Sequence, residues 1–390
     1  MRIVVMVIDS FGIGALPDAG TYGDLGSNTA GHIADTVSRK IWPNLKQMGL
    51  GNSGVIAGHA LSGCDAVESP QASYGIMAER SAGKDTTTGH WELSGVILDE
   101  AFFTFPKAYP SFLNELLDPF MKQIGRGVLG NCAASGTEII EELGGEHLKT
   151  GYPIVYTSGD SVFQIAAHEE VVPIDELYHM CEVARELCDP YRVARVIARP
   201  FFGAEGDFTR TSGRRDFSMV PTGETVLDRL SAEGIETVGI GKIGDIFTER
   251  GIVVSHHDKG NVACLDRLEM LLKTDVAGDQ FIFVNLVDTD MNYGHRRDPH
   301  GYADAVSAID SRLPDLIRRL SDGDALIVTA DHGCDPTFGG SDHTREYVPI
   351  LWYQRDRTPE NLGIRASFTD LAQTIAGRFG SSMEHGIDFF

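Results

Sequence analysis

The sequence predicts an α/β protein, a domain of alternating strands and helices interrupted by a compact α+β insertion. Two observations carry this prediction. Apolar, β-branched runs at residues 3–8, 236–240, 280–287 and 325–329 read as buried strands and alternate with helical patterns. From about residue 101 to 218 the texture changes to aromatic and proline punctuation, then short strand-like and helical pieces. The expected layout is a core domain built from residues 1–100 and 219–390, with 101–218 inserted.

A chain of 390 residues, 42% of them hydrophobic, can bury a substantial core and is long enough for two domains. Its formal net charge of −23 argues against nucleic-acid or anionic-membrane binding, where clustered Lys and Arg supply most of the affinity. A phosphorylated ligand would therefore need local positive charge, from metal ions or from a few placed Arg and Lys. The six cysteines, 64, 132, 181, 188, 264 and 334, show no CxxC pair and no disulfide framework, which reads as reduced thiols in a cytoplasmic protein. The apolar run at 3–8 is too short for a signal peptide or a membrane span, and no other stretch is long enough to cross a bilayer.

Taken in order, residues 3–8 form a strand that ends at Asp9 and opens into the glycine-bearing loop DSFGIG. No GxGxxG or Walker pattern accompanies it. Helices follow at 29–37 and 43–48. The segment GKDTTTGHWE, residues 83–92, places three threonines where β-branching and hydroxyl competition disfavour a helix interior, so it reads as a loop or a helix N-terminus. One threonine could serve as an N-cap, or as a hydroxyl nucleophile on a loop whose backbone amides face an anion. Within the insertion, helices are expected at 111–124, 137–143 and 174–188, and strands at 154–156, 163–166 and 193–198. The core then resumes with a strand at 236–240, helices at 262–273 and 302–320, strands at 280–286 and 325–329, and a helix at 369–379.

The chemistry gathers at strand ends. Asp9 closes the first strand, Asp288-Thr289-Asp290 closes the strand at 280–287, and Asp331-His332-Gly333 follows the strand at 325–329. In an open α/β sheet, ligands bind outside the carboxyl ends of the strands. Three histidines, His295, His332 and His343, lie close by in sequence. Three carboxylates and three imidazoles make a mixed oxygen and nitrogen ligand set for two divalent ions, suited to Mn²⁺, Zn²⁺, Co²⁺ or Fe²⁺ rather than to Ca²⁺ or Mg²⁺ alone. Such a pair can hold the attacking and leaving oxygens of an in-line phosphoryl displacement and activate a threonine hydroxyl. Thr86 with this set would be chemically complete.

These residues, together with NCAASGTEI at 131–139, YTSGDSV at 156–162, QIAAHEEVVP at 164–173, RVIARPF at 195–201, GHRRDP at 294–299, TADHGCDP at 329–336 and DHTREYVP at 342–349, resemble the bacterial phosphopentomutase family along nearly the full chain. The Asp-His-Gly element alone is shared across the wider alkaline phosphatase superfamily. The resemblance implies an alkaline phosphatase-like core, a central, mostly parallel sheet sandwiched by helices, with the insertion as a smaller α+β cap. It implies one metal held by Asp9, Asp331 and His332, a second held by Asp290, His295 and His343, and Mn²⁺ as the expected ion. Thr86 would carry the phosphoryl group, with Thr88 left open as its rival and Asp288 as a supporting neighbour. Ser158, Asp160, Val162, Arg195 and Ile197 would contact the pentose phosphate from the cap, and Lys242 from the core.

The implied reaction interconverts α-ribose 1-phosphate and ribose 5-phosphate, and the 2-deoxyribose pair, in nucleoside catabolism. A sugar bisphosphate such as glucose 1,6-bisphosphate would prime the threonine, and cap closure would keep water from the phosphoenzyme. The expected partners are small-molecule pentose phosphates, with no obligate protein partner and a monomeric state. The alternatives are a cofactor-independent phosphoglycerate mutase-like enzyme, a metal-dependent phosphatase on the same core, and, outside enzymes, a metal-stabilised binding or structural protein.

Overall fold

The run RIVVMVI, Arg2–Ile8, is buried along its whole length and lies fourth in an eight-stranded sheet. A strand apolar on both faces needs cover on both faces, which is the environment of a parallel sheet flanked by helices. The computed structural model describes residues 1–390 except 38–40, 159–160, 275 and 277. The chain forms two compact units, one of residues 1–100 with 221–390 and one of residues 101–220.

In the first unit the sheet runs Val254–His256, Glu236–Ile240, Gln280–Leu286, Arg2–Ile8, Ala325–Thr329, Val348–Gln354, Ser73–Met77, Asn361–Arg365. The first five strands are mutually parallel, and Val348–Gln354 runs antiparallel to both its neighbours. Ile8 pairs with Leu286 and Val7 with Thr329, so the segments leaving these three strands emerge together at one sheet edge. Helix Pro299–Arg319 begins at a proline whose missing N–H is not needed there, and Asp298 accepts the Gly301 N–H. Its buried Tyr302, Val306, Ile309, Leu313 and Leu316 recur at helical spacing and form one apolar face. The strands Val348–Gln354 and Ser73–Met77 were not among the sequence expectations. The first holds a proline and the second a glycine, residues that read as breakers, yet both strands lie inside the sheet.

The second unit has its own six-stranded sheet, ordered Leu129–Ala133, Ile154–Thr157, Val162–His168, Arg195–Ala204, Asp207–Arg210, with Arg215–Ser218 also pairing to Arg195–Ala204. One face, through Val155, Phe163, Ile165, Val196 and Ala198, packs with Leu116 and Phe120 of helix Asn114–Ile124 and with Leu177 and Cys181 of helix Ile174–Cys188. The other, through Ile154, Tyr156, Ala166 and Phe201, meets Ile139 and Ile140 of helix Gly136–Thr150. That last helix outruns the expected 137–143 because Gly144 and Gly145 are helical and buried, so the apolar pattern fades while the helix continues. The helix expected from 111 starts only at Asn114, and Asn131 Oδ1 takes the Phe112 N–H.

Phe163 is the hinge of the aromatic packing, 4.5 Å from the Phe112 ring and 5.5 Å from that of Phe120. Phe163→Ala should therefore destabilise the 101–220 unit by about 3–5 kcal/mol. The measurement is a urea titration followed by far-ultraviolet circular dichroism, and an unshifted midpoint would show that the ring cluster carries little of the stability.

Candidate metal centre

Asp9 leaves strand Arg2–Ile8 directly, and Asp331 and His332 follow strand Ala325–Thr329 after a single alanine. Asp290 is not at a strand end as such. It sits in a π-helical turn, Thr289–Gly294, that follows strand Gln280–Leu286, and His295 caps the end of the same turn. Asp9 and Asp331 are fully buried, and Asp290 and His332 nearly so.

The six candidate ligands come together. His332 Nε2 lies 3.4 Å from both Asp9 Oδ1 and Asp331 Oδ2. Asp290 offers Oδ2 to His295 Nε2 at 3.4 Å and Oδ1 to His343 Nε2 at 3.3 Å. Two groups have their donor atoms within 4.8 Å of one another: Asp290 with His295 and His343, and Asp9 with Asp290 and His332. The family resemblance gives Asp290 to one ion only, whereas here it belongs to both groups and Asp331 stands beside the second.

Three features fit a cation. Asp9 Oδ1 and Asp290 Oδ1 are buried without a hydrogen-bond donor, and Asp331 Oδ2 has no well-aligned donor, only His90 Nδ1 at 3.0 Å. His295 Nδ1 bonds to Ser341 O at 2.7 Å and His332 Nδ1 to Gly333 O at 3.0 Å. Each ring must donate from Nδ1 there, which leaves the Nε2 lone pair facing the cluster, as a metal-binding imidazole requires. His295 Nε2 and His343 Nε2 are 3.0 Å apart, so the lone pair that His295 presents points at a second ring nitrogen. A mixed carboxylate and imidazole set of this kind suits Mn²⁺, Zn²⁺, Co²⁺ or Fe²⁺.

The electrostatics carry the same tension. Burial and the neighbouring Asp331 push Asp9 upward. For Asp290, burial works in the same upward direction but is outweighed by the neighbouring His295 and His343 rings, which hold it well below the usual carboxylate range. Burial alone would lower His332, and the facing carboxylates of Asp331 and Asp9 more than reverse it.

The three threonines occupy distinct roles. Asp85, not a threonine, caps helix Thr86–Leu93, its side chain accepting the N–H groups of Thr87 and Thr88. Thr88 Oγ1 donates to Asp85 Oδ2 at 2.6 Å. Thr86 Oγ1 instead lies 3.2 Å from His332 Nε2, against the ligand cluster. Helix and strand end approach closely at Gly89, where a Cβ would fall 2.1 Å from the Asp331 carbonyl oxygen. Asp288 does not reach the cluster. Its carboxylate takes the Asn261 N–H at 2.8 Å and so fixes the start of helix Asn261–Leu272.

Of the residues assigned to substrate, Val162 and Arg195 are register partners in the second unit, with Ile197 two residues along the same strand. Exposed Ser158 accepts from Gln164 Nε2 at 3.0 Å, and Gln164 Oε1 accepts from Arg199 Nε at 3.1 Å. Asp160 lies outside the described residues. Lys242 is exposed in the first unit and sits just past strand Glu236–Ile240, on the edge where Asp9 emerges. Sequence reasoning missed His90, Asn285, Arg345 and Glu346, buried polar residues that surround the ligands; the one available signal was a polar residue inside an otherwise apolar strand, as at Asn285.

A model of the metalloenzyme superfamily matches residues 1–383. A phosphopentomutase from Caldanaerobacter subterraneus subsp. tengcongensis is 51% identical over 392 residues, covering 98% of this chain and 95% of that one. A second, from Anaeromyxobacter sp. strain K, is 51% identical over 389 residues and covers 100% and 98%. Among solved structures, the PH0037 protein of Pyrococcus horikoshii aligns over 99% of both chains with a TM-score of 0.50 at 13% identity, a likeness of fold.

Because Asp290 is common to both ligand groups, Asp290→Asn should weaken both ions by at least about tenfold, or about 1.4 kcal/mol each. Asp331→Asn should weaken one ion only. Calorimetric titration of Mn²⁺ into the two variants distinguishes these outcomes.

Proposed function

The chain belongs to the phosphopentomutase family of the metalloenzyme superfamily, and on that premise we propose that Thr86 carries a phosphoryl group between O1 and O5 of ribose and 2-deoxyribose. The observation that carries this reading is the placement of Thr86 Oγ1 at the ligand cluster, 3.2 Å from His332 Nε2, while Thr88 is tied to Asp85. We assign one divalent ion to Asp9, Asp331 and His332 and the other to Asp290, His295 and His343, with Asp290 adjoining both, and Mn²⁺ as the resident metal. When bound, the ions would draw charge from the phosphoryl oxygens and lower the pKa of the threonine hydroxyl.

The chain's own groups do the rest. A sugar bisphosphate, such as glucose 1,6-bisphosphate, first loads Thr86: Oγ1 attacks phosphorus as the bond from phosphorus to the sugar oxygen breaks, and the threonine proton passes to that oxygen as the sugar monophosphate departs. The pentose monophosphate then offers its free hydroxyl to the phosphothreonine. The new O–P bond forms as the bond to Oγ1 breaks, giving a pentose 1,5-bisphosphate. This intermediate turns end for end, and Thr86 Oγ1 attacks the other phosphorus to release the isomeric monophosphate and restore phosphothreonine.

The reading gives Arg195 a bidentate grip on a substrate phosphate and Lys242 the role of a point charge for the anionic substrate. Ser158 and Asp160 would bind the phosphate and sugar hydroxyls, and Val162 and Ile197 would line the sugar pocket. The Gln164 bond occupies a lone pair on Ser158 Oγ, leaving that hydroxyl free to donate to an anion. Six unpaired thiols are in keeping with work in the cytoplasm, and no helix among the described residues is long and apolar enough to cross a membrane.

Thr86→Ala should abolish interconversion of ribose 1-phosphate and ribose 5-phosphate, a loss of at least about 10⁴-fold, while Mn²⁺ still binds. Mass spectrometry of the wild type after incubation with glucose 1,6-bisphosphate and Mn²⁺ should place one phosphate on Thr86. Full turnover by Thr86→Ala, or phosphate on Thr88, would overturn the assignment. Chelation should also remove activity, and Mn²⁺ should restore it.

A further inference from the structure

His90 is fully buried in the core and has no part in the chemistry above. It lies one helical turn after Thr86, so its ring returns along the helix toward the residue that opens it. His90 Nδ1 bonds to the Thr86 carbonyl oxygen at 2.9 Å. A carbonyl only accepts, so Nδ1 carries the proton and Nε2 presents a lone pair. That lone pair faces Asn285 Nδ2 at 3.3 Å, and the same amide nitrogen donates to Asp9 Oδ2 at 2.8 Å. Both amide hydrogens of Asn285 are thereby used. His90 Nδ1 is also 3.0 Å from Asp331 Oδ2.

The result is an unbroken chain of hydrogen bonds, from the backbone of Thr86 through His90 and Asn285 to Asp9. Asn285 is a fully buried polar residue in the otherwise apolar strand beside Arg2–Ile8. Burying such a group unpaired costs free energy, and these two bonds satisfy its donors.

We propose that His90, acting with Asn285, is a positioning residue that holds the Thr86 turn in register with the Asp9 side of the metal centre. This rests on the reading in which Thr86 is the nucleophile and Asp9 a ligand. The two halves of the chain have different consequences. The Nδ1–H bond fixes the Thr86 backbone, and with it the direction of Oγ1. The Nε2–Asn285–Asp9 half fixes which oxygen of Asp9 is free. Asp9 Oδ2 takes the Asn285 bond, and Oδ1, which has no donor, is the one turned to His332. Groups that orient ligands from behind in this way typically change metal affinity by 10–100-fold when removed.

Two near-isosteric substitutions separate the halves. An asparagine amide falls near the position of Nδ1, and a glutamine amide near that of Nε2. His90→Asn keeps a donor for the Thr86 carbonyl and breaks the link to Asn285. His90→Gln keeps a partner for Asn285 and breaks the link to Thr86. Mn²⁺ affinity is read by electron paramagnetic resonance without sugar phosphate, and kcat and KM by a coupled ribose 1-phosphate assay at saturating Mn²⁺.

His90→Asn is expected to lose about tenfold in affinity for one Mn²⁺ and to retain the larger share of kcat. His90→Gln, which also removes the Nδ1–H facing Asp331 Oδ2, is expected to keep the larger share of Mn²⁺ affinity and lose about a hundredfold in kcat with KM little changed. Equal effects of both variants on both readouts, or none, would overturn the proposal and leave His90 as packing against Phe283. If neither variant folds, Asn285→Leu decides, since it leaves the Thr86 bond intact: unchanged Mn²⁺ affinity overturns the proposal. A wild type that binds fewer than two Mn²⁺ would instead overturn the functional reading itself.

Discussion

Three carboxylates buried side by side are the constraint on which the rest of the core depends. Asp9, Asp290 and Asp331 are nearly inaccessible to water, and burial alone would drive each toward its neutral form. Two like charges about 4 Å apart repel by about 4 kcal/mol even at an effective dielectric of about 20. Nothing in such a cluster favours folding unless positive charge is supplied. Imidazoles supply part of it and ions can supply the rest, which makes the site costly to assemble and strongly selective for cations. Two strand ends and the turn after a third bring the carboxylates together: once Ile8 pairs with Leu286 and Val7 with Thr329, the segments that follow share one edge.

Register alone does not hold loops, and one short segment does much of that work. His343 is a ligand candidate, and the residues just after it are tethers. The Arg345 guanidinium donates to the Glu79 carboxylate and to the carbonyl oxygens of Glu79, Ser81 and Gly83, so it grips the chain leading to Thr86. Glu346 accepts from the Gly14 and Thr29 N–H groups and from the hydroxyls of Thr29 and Thr344, so it grips the loop that leaves Asp9. Gly12 is required beside it, since a Cβ there would come within 2.5 Å of the Glu346 carboxylate. A candidate ligand, the chain leading to Thr86 and the loop after Asp9 are thus tied within four consecutive residues. Displacing any one would disturb the others.

The residues that come together at the ligand cluster were legible in the sequence because their types are conspicuous where they stand. An Asp or His directly after an apolar, β-branched run has few structural explanations, and GKDTTTGHWE is a poor helix interior. The residues that support them were not legible, because a buried Asn285 or Glu346 acquires its meaning only from partners far away in the chain. The identity of the helix cap turned on a detail of the same kind. With Asp85 and three threonines adjacent, any could cap, and only the backbone, extended at Asp85, decides. The same locality limits the fold: strands Val348–Gln354 and Ser73–Met77 carry breaker residues and exist because neighbours on both sides pair with them.

An acidic protein and an anionic substrate repel each other, and the resolution is one of range. With a net charge of −23, the protein repels a sugar phosphate at long distance, but at physiological salt the field of exposed charges decays over about 8 Å. Inside that distance, local cations decide. In the second unit, Arg195 and Arg199 lie on strand Arg195–Ala204, and burial and the Arg214 charge lower Arg199 from its ordinary value, while Asp216 pairs with Arg214 and stands 3.8 Å from Arg195, so part of the positive charge there is already balanced. The buried carboxylates are the mirror image, like charges held together until a counter-ion arrives. Each unit thus gathers charge of one sign, carboxylates in the first and guanidinium groups in the second.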